Sequence, residues 1–202
     1  MAELYLHRAR RAAQERLETI IADLNQALAL IEGKACVYAT GSFGRLEASA
    51  LSDLDLFIIV DTEVGEALDD PKRLLDGVDE IKLKCELIAA AERNHVAKFD
   101  ADGRYLESHT IDSYTRWLGS REDDYRNTMT GRMLMLLESK PLIGRHTYDK
   151  TIGLVLAKYF RDYEGHEEDF VPSFLFNDIL RMWRTFCVNY EFYRKDGDSR
   201  IK

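Results

Sequence analysis

Cysteine, proline and surplus positive charge are all scarce in this chain. Its 202 residues include three cysteines and three prolines. Cys36, Cys85 and Cys187 are widely spaced, and each sits in an apolar run. An odd, scattered set excludes a disulfide framework and predicts buried free thiols of a reducing compartment. The five histidines, His7, His95, His109, His146 and His166, pair closely with neither each other nor a cysteine, so a structural zinc site is not expected. No apolar run approaches the ~18 residues that span a bilayer, so no membrane partner is expected. Met1-Ala2-Glu3-Leu4 opens no apolar core followed by a cleavage site, so the expected location is cytoplasmic. Few prolines and 12 glycines exclude collagen-like and low-complexity chains. The 28 basic residues are outnumbered by 36 acidic ones, a net charge of −8. Coating nucleic acid requires the opposite balance, so nucleic acid ranks low among partners. A local basic pocket remains compatible with that total.

What is present is enough apolar residue, 46%, to build a core. Residues 3–32 carry an apolar stripe at Leu17, Ile20, Ile21, Leu24, Leu28 and Ile31, which predicts one long helix stopped by Gly33. Ala35–Thr40 and Leu54–Val60 predict buried strands, the second with no polar face. Ile81, Leu83, Cys85 and Leu87 alternate like a strand, and Leu87–Val96 turns helix-like. Arg104–Ile111 predicts a further strand after the turn residues Asp100–Gly103. Residues 123–139, 145–165 and 173–195 carry helical spacing. The expectation is an α+β chain: an N-terminal helix over 1–34, a small mixed sheet flanked by helices over 35–118, and an all-helical lobe over 119–202.

The chemistry concentrates in Gly41–Val60, G-S-F-G-R-L-E-A-S-A-L-S-D-L-D-L-F-I-I-V. A strand ends in Gly41-Ser42 and turns into a short helix. Glycine lets the backbone approach a ligand, and amides at a helix start favour phosphate. Ser42 adds a hydroxyl, and Arg45 adds a fork of donors suited to phosphate oxygens. Asp53 and Asp55 stand two apart at the head of a strand, so both carboxylates share a face. Paired carboxylates there call for a cation, and hard oxygen donors select Mg²⁺ or Mn²⁺. Phosphate turn and carboxylate pair, joined by a short connection, are what metal-assisted phosphoryl or nucleotidyl transfer requires. Among other charged residues, Arg132 lies between apolar neighbours and calls for an acid partner such as Glu138, or a phosphate. Asp123-Asp124 reads as an acid pair at a helix start. Trp117 and Trp183 read as core.

The pattern G-S-F-G-R-x-E…S-D-L-D-L resembles the active-site motif of the DNA polymerase β nucleotidyltransferase superfamily. Arg45, Glu47 and Ser52 are similar to the branch around the nitrogen-regulatory protein uridylyltransferases and related uncharacterised bacterial domains. A looser resemblance runs through residues 132–139 and 178–185. It implies an enzyme that moves a nucleoside monophosphate from a nucleoside triphosphate such as ATP to an acceptor hydroxyl, releasing pyrophosphate. It also implies nucleotide binding by Gly41, Ser42, Gly44 and Arg45, and metal binding by Asp53 and Asp55. A third carboxylate is implied for both metal and catalysis. Glu107 is the first candidate, with Glu86 and Asp100 behind it. The acceptor is a protein or a small molecule, and a further domain or partner at the C-terminus fits the resemblance. The rival is a nucleotide-sensing or partner-binding module that keeps the fold without catalysis.

Overall fold

The computed structural model describes residues 2–63, 71–96 and 106–195. Asp100 and the turn after it lie outside the described residues. Helices α1 (Ala2–Ala22) and α2 (Asn25–Ile31) lead into strand β1 (Ala35–Ala39) and the one-turn helix α3 (Gly41–Gly44). Strand β2 (Leu56–Val60) follows, then the short strands β3 (Thr62–Glu63) and β4 (Lys72–Arg73) and helix α4 (Gly77–Arg93). Strand β5 (Ser108–Thr110) and helices α5 (Ile111–Arg116), α6 (Arg121–Tyr125) and α7 (Thr128–Glu138) come next. The chain finishes with β6 (Lys140–Ile143), α8 (Arg145–Tyr159) and α9 (Ser173–Lys195). This is an α+β fold with a small mixed sheet and a helical region.

The main sheet runs β5-β2-β1-β6, with β1 antiparallel to both neighbours and β5 parallel to β2. Its two faces bury different side chains. Ala35, Val37 and Ala39 of β1 join Leu54, Leu56, Ile58 and Val60 in a core covered by α1, α2 and α4. Cys36, Tyr38 and Ile59, with Phe57 packed beside them, point the other way, against Tyr114 of α5, Met135 of α7 and Val155 and Tyr159 of α8. Strand alternation thus divides the molecule into an outer helical layer and an inner helical layer on one sheet.

Several expectations are corrected. The stripe over 3–32 forms two helices, broken at Asp23-Leu24, where amide bonds tighten to the three-residue spacing. Asp23 accepts from Arg93 (2.8 Å) and Asn94 (3.0 Å) of α4, contacts no local spacing reveals. The alternation at Ile81–Leu87 belongs to helix α4. Asp76 caps it by accepting from the amides of Val78 and Asp79, and Leu83, Leu87 and Ala90 form its buried stripe while Ile81 is exposed. Of the strand expected over 104–111, residues 104 and 105 lie outside the described residues; it runs from Ser108 to Thr110 and ends there because Thr110 starts α5 with a capping box. The second half is not wholly helical. Its β6 pairs with β1, and Pro141 is tolerated there because the strand is at the sheet edge. Asn127, with φ of 56°, divides the expected 123–139 helix into α6 and α7. Of the three thiols only Cys36 is buried; Cys85 and Cys187 are exposed, although all are free. Trp183 is exposed as well.

Candidate functional site

The site forms where β1 ends and β2 begins. The Thr40 amide donates to the Asp55 carbonyl (2.9 Å), extending the β1–β2 ladder past Leu56. Leu54 points into the outer core, so alternation places Asp55, and Asp53 before it, on the opposite side. Gly41 lies beneath. Its φ is +59°, and a Cβ there would stand 2.7 Å from Asp55 Oδ2. Glycine is therefore required twice, for the left-handed backbone and for the carboxylate above it. Ser42 follows, half-buried in the single turn of α3. As at any helix start, the amides of Gly41, Ser42 and Phe43 have no partner inside the turn, next to the Asp55 carboxylate.

Three elements brace this turn. Gly44 is buried, its amide donates to the Thr40 carbonyl (3.1 Å), and a Cβ on it would collide with the backbone carbonyl of Glu138 at the end of α7. Its role here is close packing, since its amide is already engaged. Arg16 of α1 lies over the Phe43 ring (5.2 Å) and donates to the Ser49 carbonyl, so the N-terminal helix holds the connection from outside. Ser52 Oγ accepts from the Ser49 amide at 2.9 Å and closes the loop before Asp53.

Arg45 is half-exposed at the edge of the site. It donates to Glu47 (2.8 Å) and to Glu138 (2.5 Å), and these carboxylates, Glu47 foremost, raise its already high pKa. A phosphate would compete with both acids for this fork.

Glu107 is exposed and directly precedes β5. Two residues on, His109 stacks against Phe57 (6.2 Å) and meets the tilted Tyr114 ring (5.5 Å), on the same sheet face as Asp55. Alternation gives Glu107 that face too, one strand from β2, whose Ile58 and Ile59 sit beside Ser108 and His109. Burial lowers the His109 pKa, and the negative charge of Glu107 works against that shift. Glu86 belongs to α4, on the other face of the sheet, where it pairs with Arg93 at 4.0 Å. Among the described residues no three His, Cys, Asp or Glu side chains converge as a ready-made metal cage.

Behind the site, the inner layer is held by a buried charge network. Arg132 is fully buried and makes a bidentate pair with Asp123 (2.8 and 2.7 Å). It also donates to Asp178 (3.0 Å), to Tyr159 Oη (2.8 Å) and to the Tyr114 carbonyl (3.4 Å). All five guanidinium N–H groups are therefore used. Thr128 and the Gly119 amide donate further bonds to Asp123, while Tyr159 and Arg181 do so to Asp178. The charged neighbours of Arg132 are Asp123 and Asp178, not Glu138, and no phosphate is needed to explain its burial. Nearby, Tyr38 Oη donates to the Gly131 carbonyl (3.0 Å) and meets Tyr114 Oη (2.9 Å). A side chain on Gly131 would collide with that Tyr114 hydroxyl. The isolated Arg132 in an apolar run signals this network in the sequence; Tyr38, Tyr114 and Gly131 carry no such signal.

The turn and the carboxylates of the site fall within one recognisable segment. A family model for the nucleotidyltransferase domain matches residues 16–126, from the second half of α1 through α6. No curated protein and no solved structure matches the chain. The matched segment is more than half the chain and contains the Gly41-Ser42 turn, both aspartates and Glu107; the chain belongs to the nucleotidyltransferase domain family of the polymerase β-like superfamily.

Proposed function

We propose that the protein is a metal-dependent nucleotidyltransferase acting on a protein or small-molecule hydroxyl. One observation carries this reading: the Asp55 carboxylate stands over the positive-φ glycine that opens α3, so the acid and the phosphate-type turn face the same space. The Ser42 hydroxyl and the amides of Gly41 and Ser42 hold the outer phosphates. Arg45 joins them when it exchanges Glu138 for a phosphate oxygen.

Asp53 and Asp55 are hard oxygen donors on one face, one exposed and one half-buried. That set fits Mg²⁺ or Mn²⁺, which is commonly held by one or two carboxylates and completed by substrate phosphates. When bound, the cation neutralises phosphate charge and polarises the reacting phosphorus. Glu107 faces the same side and is the third acid of this reading, placed to take the proton of the acceptor hydroxyl. The acceptor oxygen then bonds the α-phosphorus, the α–β bridge breaks, and pyrophosphate leaves. The Arg45–Glu47 pair and the Ser49–Ser52 bond give a structural role to the residues shared with the uridylyltransferase branch, and we place the chain nearest that branch.

The test uses nucleoside triphosphates labelled at the α or the γ position, with Mg²⁺ or Mn²⁺ and a lysate of the source cells. Transfer of α-label but not γ-label is the expected result. Transfer of γ-label, or metal-dependent binding without pyrophosphate release, overturns the proposal; the second result identifies the non-catalytic nucleotide-sensing module.

A further inference from the structure

The last helix is apolar where a surface helix should be polar. Met182 is the last buried residue among its described side chains, and every described side chain beyond it is exposed. The remaining 13 residues, 183–195, continue for about 20 Å at the α-helical rise. Phe176, Leu180, Trp183, Cys187 and Tyr190 recur at alternating spacings of four and three, so they form a straight seam about 100° around the helix from the inward-facing stripe of half-buried Leu175 and Ile179 and buried Met182. The seam's large side chains, with Phe186 and Val188 beside them, are each between 44% and 67% exposed. At roughly 150–250 Å² per aromatic residue, they present on the order of 600 Å² of apolar surface. A monomer's largest patch seldom exceeds that value, and a stable interface takes about 800 Å² from each partner, rim included.

We propose that the C-terminal part of this seam, over residues 180–195 of α9, pairs with the same residues of a second copy, the two helices antiparallel about a two-fold axis between residues 187 and 188. The charges flanking the seam favour that arrangement. Arg184 and Glu191 are two turns apart on one side of it. In an antiparallel two-fold pair, Arg184 of each copy faces Glu191 of the other, two reciprocal opposite-charge contacts. In a parallel pair Arg184 and Glu191 would instead lie beside Ile179 and Phe186 of the other copy and meet no opposite charge. Glu191 pairs with Arg194 of its own helix through one oxygen at 3.0 Å. The pairing buries Trp183 and Tyr190, residue types enriched at interfaces.

The test is the molar mass in solution of the full chain by light scattering and sedimentation equilibrium. The wild type is expected to be dimeric at micromolar concentration. The double variant Leu180→Glu/Trp183→Glu should be a folded monomer by circular dichroism, because both side chains are exposed in the single chain. Arg184→Glu alone should weaken dimerisation by about tenfold, and Arg184→Glu combined with Glu191→Arg should restore it. A monomeric wild type, or unchanged mass for the Leu180/Trp183 variant, overturns the proposal. Failure of the combined charge swap to restore association overturns the antiparallel arrangement.

Discussion

Replacing Gly41 by alanine separates the chemistry of the turn from its stability. Two costs follow from the structure. The left-handed backbone at φ +59° costs a residue with a Cβ about 1–2 kcal/mol. The new methyl group, 2.7 Å from Asp55 Oδ2, must also push that carboxylate away by roughly 0.7 Å to reach ordinary contact. A shift approaching 1 Å at a reacting centre costs up to about a hundredfold in rate. Gly33→Ala is the control. Gly33 has φ +70°, and nothing lies within 4 Å of its Cβ position, so it incurs the backbone cost alone. Urea unfolding midpoints and kcat/KM for nucleotide transfer are measured for both variants. Both should lose about 1–2 kcal/mol of stability. Only Gly41→Ala should lose transfer, by at least about tenfold. Equal transfer by the two variants would refute the assignment of Asp55 and Gly41 to one reacting centre.

Further outcomes follow from the packing around the site. Arg132→Met leaves the Asp123 and Asp178 carboxylates buried without their cation and should cost about 3–5 kcal/mol in urea unfolding at pH 7; a loss under about 1 kcal/mol contradicts the network. The pH profile of the wild type carries its own sign: Asp123, whose pKa the Arg132 contacts hold below the usual 3.8 against its own desolvation, gives stability present at neutral pH and lost as pH falls through its lowered value. His109, lowered by burial, binds protons more readily in the unfolded chain. Wild-type stability should therefore fall as pH drops below 6.5, and His109→Phe should flatten that slope; an unchanged slope refutes the assignment. Arg45→Ala should cost under about 1 kcal/mol of stability, as a half-exposed pair does, while raising the Kd for nucleoside triphosphate in a fluorescence titration.

Much of this architecture is legible in the sequence, and the exceptions share a cause. Strands β1 and β2 are readable because a strand covered on both sides must be apolar throughout. The Gly41-Ser42 turn and the Asp53/Asp55 pair are readable because their residue types are costly elsewhere and close together in the chain. Helix α4 was obscured because Ile81 and Cys85, exposed in the helix, fill the gaps of its true stripe and imitate strand alternation. Strand β6 was hidden by its shortness and by Pro141, acceptable only because the strand is at the edge. The break at Asp23-Leu24 depends on Arg93 and Asn94, about seventy residues away. Arg132 was readable as a charge in need of partners, but which acids answer it is decided by how α6, α7 and α9 meet. The sequence motif groups Gly44 with the phosphate-binding glycines, and only the approach of the α7 carbonyl shows its packing role.

Label transfer from an α-labelled nucleoside triphosphate by Asp53→Asn and Asp55→Asn, set against the wild type with Mg²⁺, tests the central claim most directly. Both side chains lie at the edge of the fold, so the variants should keep the wild-type circular dichroism spectrum and unfolding midpoint. The expected result is a loss of transfer of at least about a hundredfold in each. Transfer at the wild-type rate by either folded variant would contradict the account.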